Sequence, residues 1–157
     1  MTEAVASIPK NIYGVTKIAA ESLCELHHRR DRLPVIVLRT SRFFPEADDD
    51  AAMRARYSAE NARANELLHR RVDIADVVDA HLLALDKAPA RGFGRYIVSA
   101  TTPFLPGDLA ALRQDAAAVV ERRHPGCAAL YAARGWSLFP QIGRVYVNAA
   151  APIRFRA

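Results

Sequence analysis

Residues 11–39 read NIYGVTKIAAESLCELHHRRDRLPVIVLR, and two patterns in them decide the fold. Ile12, Val15, Ala19, Leu23 and Leu26 recur at helical spacing, which predicts a helix from Asn11 to Arg30. Pro9 and Asn11 suit its entrance. His28, Arg29 and Arg30 fall in its last turn, where cations complement the helix dipole. Asp31-Arg32-Leu33-Pro34 breaks the period. Val35-Ile36-Val37-Leu38 is then continuously apolar and β-branched except for its last residue. That composition predicts a strand buried on both faces, as in a parallel sheet.

Outward from this stretch, Thr40 to Asp50 reads as a loop and Ala51 to Leu68 as a weaker helix. A third helix is expected from about Ile74 to Leu85, with Asp73 as its cap. Its apolar face is Ile74, Val77, Val78, Leu82 and Leu85. Gly92-Phe93-Gly94 marks a turn, and Arg95 to Ala100 reads as a second strand. Pro106-Gly107-Asp108 opens a fourth helix, Leu109 to Arg122, with Asp108 as candidate cap. A short helical piece at Ala128 to Ala133 and a strand at Val145-Tyr146-Val147 complete the pattern. Helices alternating with strands imply an α/β fold with a parallel sheet. Two main strands are few for such a sheet, so they read as part of a larger one.

The chain has 157 residues, 51% hydrophobic and 25% charged. That balance excludes collagen-like and low-complexity classes. No apolar run approaches the ~18 residues of a membrane span. The first ten residues lack the pattern of a secretory leader. Cys24 and Cys127 lie far apart and suit idle thiols of a reducing, cytoplasmic protein. The net charge is +5, but the arginines are scattered and interrupted by Glu46-Ala47-Asp48-Asp49-Asp50. No stripe of arginine and aromatics marks a nucleic-acid surface. The acidic run lacks the spacing of a calcium loop and reads as solvated. His81, on the apolar face of its helix, is expected in the core, as is Trp136.

Tyr13 and Lys17 stand at i and i+4 and so share a helix face beside the apolar stripe. Tyrosine titrates near pH 10, too high for a base at neutral pH, and a neighbouring ammonium favours the phenolate. The same spacing also suits an exposed face on which an aromatic ring covers a lysine stem.

The segment Pro9-Lys10-Asn11-Ile12-Tyr13-Gly14-Val15-Thr16-Lys17-Ile18-Ala19-Ala20-Glu21 resembles the YxxxK helix of extended short-chain dehydrogenase/reductases, the NAD-dependent epimerase/dehydratase family. Pro34 to Arg39 is similar to that family's following strand. Phe43-Phe44-Pro45 resembles its loop past the nicotinamide, with Phe44 where a glycine usually stands. Val72 to His81 and Gly94 to Ser99 match further segments in order and spacing. The resemblance implies a partial Rossmann-like parallel sheet over residues 1–100, with an insertion at about 46–71. Residues 101–157 are then part of a small substrate-binding domain. It implies Tyr13 as the proton-transfer residue, and Lys17 as the ligand of the nicotinamide ribose. Phe43, Phe44 and Pro45 would border NAD or NADP, and Arg71 would contact substrate. The implied substrate is a small molecule, a sugar nucleotide or related hydroxyl compound, and the implied state is a homo-oligomer.

The family's glycine-rich pyrophosphate turn and upstream Ser or Thr are not found. The chain is therefore expected to correspond to the back part of such an enzyme and to bind NAD(P) weakly by itself. The alternative expectation is a non-catalytic module that self-associates or binds a partner.

Overall fold

The structure, a computed structural model, describes residues 1–44 and 50–150. Helix α1 spans Ile12–Asp31, and the Asn11 side chain accepts the Gly14 N–H at 2.8 Å as its N-cap. Strand β1 is Val35–Thr40 and strand β2 is Phe93–Val98. They pair in parallel, Val37 opposite Arg95 and Leu38 opposite Tyr96. Helix α4, Ile74–Arg91, carries the crossover between them. It runs through Pro89, two turns beyond its expected end.

The two helices cover opposite faces of this sheet. Arg39 and Arg95 turn toward α1, where they meet Glu21 and Glu25. Val98, with Leu38 against it, packs on Val77 and Ala80 of α4. The side of α1 that rests on the sheet is thus partly polar, and the side of α4 that does so is narrow. Their apolar stripes face outward. Ile12 is 78% exposed, and Leu23, Leu26, Ile74, Val78 and Leu82 are all exposed. His81 follows them: it is exposed, its Nδ1–H donating to the Val77 carbonyl at 2.7 Å, so the expected core histidine is a surface one.

The expected helix at 51–68 is two, α2 (Ala51–Arg56) and α3 (Ala59–Leu67). Tyr57 is extended, and Ser58 caps α3 by accepting the Asn61 N–H. The expected helix at 109–122 is also broken, into α5 (Leu109–Leu112) and α6 (Ala116–Arg123). Here Asp115 takes the N-cap position and accepts the Ala118 N–H. Asp108 does not cap α5; its carboxylate binds the Leu105 N–H and the guanidinium groups of Arg122 and Arg123. Helix α7, Cys127–Ala133, lies where expected, and Trp136 is half-buried with its ring edge-on to Tyr131.

Val145-Tyr146-Val147 forms no strand. Tyr146 N–H donates to His69, but Val147 N–H donates to Met1, so no single partner supplies a ladder. This segment, α3, α5 and α6 enclose a second core of Phe104, Leu112, Ala116, Val119, Val120, Ile142 and Val145. Among the described residues, no helix is long and apolar enough to cross a membrane.

Candidate functional site

Glu21 sets the position of Tyr13 and Lys17. Its two oxygens accept from Nε and Nη2 of Arg39 at 2.8 and 2.7 Å, a bidentate pair. The Arg39 hydrogen bonds hold the Glu21 carboxyl below its usual range. At the other end of α1, His28 stacks on Phe93, the first residue of β2. The helix therefore runs antiparallel to the strands. With ~1.5 Å of rise per residue, Lys17 and Tyr13 lie about 6 and 12 Å beyond the Glu21 contact. That takes them past the carboxyl end of β1, the end at which open parallel sheets bind ligands.

Tyr13 and Lys17 are side by side, with the Lys17 ammonium over the Tyr13 ring, 5.2 Å from its centroid. Tyr13 is 65% exposed. Among the described residues, neither polar end has a hydrogen-bond or ion-pair partner. Gly14 permits the tight entrance to α1 beside them: a Cβ there would stand 3.1 Å from the Pro9 Cβ. No contact joins the pair to Phe43, Phe44 or Arg71 among the described residues, and neither residue lines a described cavity.

The loop leaving β1 is anchored inward. Phe43 packs against the cluster of Val72, Val77, Ala80 and Val98. Phe44 lies at the surface with the Arg42 guanidinium over its ring at 5.1 Å. Pro45 lies outside the described residues. Arg71 is buried, and its guanidinium is engaged by Glu66 at 2.6 Å and by the Phe44 carbonyl. It lines no described cavity, so it clamps the loop rather than presenting its charge where a substrate contact was expected. Glu66 is itself buried and also pairs with Arg70 at 2.7 Å.

A cavity of about 1000 Å³ opens where β1 ends. Thr40 to Arg42 form one wall, Arg56 and Tyr57 a second, His69 and Arg70 a third, and residues 139–144 with Tyr146 the fourth. Sequence reading missed it, because its walls come from segments about 100 residues apart that carry no shared motif. His69 is held in place by its Nδ1–H, which donates to the Arg144 carbonyl at 3.0 Å. Burial, then the Arg70 charge, pushes its pKa down to about 4, so it is neutral at pH 7.

A bound nicotinamide ribose would find fitting groups in Tyr13 and Lys17: one ammonium and one phenol, exposed and unengaged by polar partners, at the ligand-binding end of the sheet. Beside this pair, among the described residues, a pyrophosphate would find no glycine cradle. Gly14 is closed by Pro9, and Gly92, with φ of +76°, ends α4 against His28. No curated protein and no solved structure matches the chain. The model of the NAD dependent epimerase/dehydratase family matches residues 2–98, more than half of the chain and the whole of the α1–β1–α4–β2 unit. The chain belongs to the NAD dependent epimerase/dehydratase family.

Proposed function

We propose that the chain supplies the acid–base side of an NAD(P)-dependent epimerase or dehydratase site acting on a sugar nucleotide or related hydroxyl compound. Tyr13 removes or returns the proton of a substrate hydroxyl. Lys17 binds the nicotinamide ribose hydroxyls. A nicotinamide held by Tyr13 and Lys17 would supply the hydride transfer. Phe44, at the surface of the loop after β1, is suited to border the cofactor, and Phe43 holds that loop from beneath. The substrate's anionic part lies in the cavity at the end of β1, beside Arg56 and Arg144. The observation that carries this reading is the unengaged Tyr13–Lys17 pair, side by side beyond the carboxyl end of β1.

The test is turnover in a chimera that joins the glycine-rich cofactor segment of a family member ahead of residue 1. Tyr13→Phe should lower turnover ~10²–10⁴-fold and keep cofactor affinity. Lys17→Ala should lower both. Unchanged turnover in Tyr13→Phe ends the assignment.

The outward stripe of α1 favours a second reading, self-association, which is compatible with the first. Exposed apolar patches of this kind mark interaction surfaces. Light scattering of the chain at micromolar concentration should give a dimer or larger species; a single 17.3 kDa species would refute it.

A further inference from the structure

The face of α1 that carries Tyr13 and Lys17 continues, at the same four-residue spacing, into Glu21 and Glu25. A lysine and a glutamate four residues apart on a helix are within reach of each other and attract. Lys17 nevertheless leaves Glu21 alone. Among the described residues its ammonium has no carboxylate partner, and it lies over the Tyr13 ring, one turn away in the opposite direction. Lys17 is exposed, so its stem can turn toward either neighbour.

What holds it away from Glu21 is on the sheet. The Glu21 carboxylate is turned toward β1, where Nε and Nη2 of Arg39 donate to its two oxygens, and Arg95 Nε stands 3.3 Å from Oε2. A planar guanidinium bound through two parallel hydrogen bonds is a stronger carboxylate partner than an ammonium on a flexible stem. Both side chains are half-buried, so water and salt screen this pair less than an exposed one. The strand aims the guanidinium: side chains alternate along β1, so Arg39 faces α1 while Leu38 faces α4. Arg95 does not duplicate it, because its Nη2 is bound to Glu25.

We infer that Arg39 is a positioning residue of the site proposed above: by occupying both oxygens of Glu21 it leaves the Lys17 ammonium beside Tyr13, where a nicotinamide ribose would meet it. This rests on that reading of Tyr13 and Lys17 and adds the residue that keeps the ammonium available. Arg39 acts through Glu21. Without it, a half-buried carboxylate keeps an unpaired oxygen, and the cation one turn away on its own helix face is Lys17.

The experiment is ¹H–¹³C NMR of the lysine side chains in the full chain, without cofactor. The lysines are Lys10, Lys17 and Lys87, few enough to resolve. An aromatic ring shifts protons above its face upfield, so the Lys17 Hε protons report their place over Tyr13, and Tyr13→Leu supplies the unshifted position. The native chain should show the upfield shift. Arg39→Met, which keeps a stem and removes the charge, should lose most of it as Lys17 turns to Glu21. Arg39→Met combined with Glu21→Gln should regain it, a rescue that a purely structural role for Arg39 does not produce. Ala20 is exposed, and Ala20→Glu sets an unclaimed carboxylate three residues from Lys17 with Arg39 in place. It should also draw Lys17 off the ring, and it decides the matter if Arg39→Met does not fold. Lys17 protons that are unshifted in the native chain, that stay upfield in folded Arg39→Met or in Ala20→Glu, or that lose the shift equally in the single and double variants would overturn the proposal. The readout needs neither cofactor nor turnover, so its failure is distinguishable from failure of the Tyr13→Phe test.

Discussion

The α1–β1–β2–α4 layer and the lobe built from α3, α5, α6 and residues 137–146 are made of similar material and packed in opposite ways. In the layer, α1 meets the sheet through Glu21 and Glu25, bound to Arg39 and Arg95. Ile12, Leu23 and Leu26 face out, as do the isoleucine and leucines of α4. In the lobe, Leu112, Val119 and Val120 are fully enclosed, and the carboxamides of Asn61 and Asn65 are tied to residues 137 and 139. The layer carries the family motifs and the proposed acid–base pair; the lobe carries the closed core and most of the cavity wall. An apolar stripe records that a helix face seeks cover. It does not record which neighbour provides it.

The largest contrast should come from removing one buried and one half-buried carboxylate. Glu66→Ala leaves the buried Arg71 guanidinium without its counter-charge, an expected loss of about 3–5 kcal/mol. Glu21→Ala breaks the exposed side of a bidentate pair in the layer and should cost about 1 kcal/mol or less. Urea melts of both variants measure the difference. Equal losses would break the contrast between a tight lobe and a loosely covered layer.

Next is pH. His69 has a pKa of about 4 when folded, against 6.5 for free histidine. As pH falls below about 6.5, the unfolded chain binds a proton that the folded chain refuses. Stability therefore drops through that window and levels off near pH 4. The full drop is roughly 3 kcal/mol. Melts from pH 7 to pH 4 should show that slope in the native chain and a flatter one in His69→Gln. Parallel curves would place His69 in a less buried setting than the lobe implies.

The smallest effect is expected on the outer face of α1. Leu23→Ser should change the stability of the chain by no more than ~0.5 kcal/mol, since Leu23 is exposed. It should still shift the species seen by light scattering toward 17.3 kDa. A large destabilisation instead would mean that the stripe is covered within the chain.

Local signals were legible where they are local in cause. Asn11 and Asp73 cap the helices they precede, because a cap acts through N–H groups two or three residues away. The β-branched run at 35–38 makes a strand in a parallel pair, and the Tyr13–Lys17 spacing brings ring and ammonium together. The breaks at Tyr57 and Asp115 were available in Ser58 and Asp115 as capping residues but were masked by the helical composition on either side. The burial of Arg71 was not legible, because a run of two arginines does not reveal which of them the chain encloses.

Helix, strand and motif followed from contacts within a few residues, and so residues 11–39 sufficed to place the chain among α/β proteins and to single out Tyr13 and Lys17. Which way each helix turns its stripe, and that Ser41, Tyr57, His69 and Arg144 surround one cavity, depend on partners roughly 20 to 100 residues away. Those partners are chosen by packing and by the need to pair buried charge, and neither leaves a periodic trace along the chain.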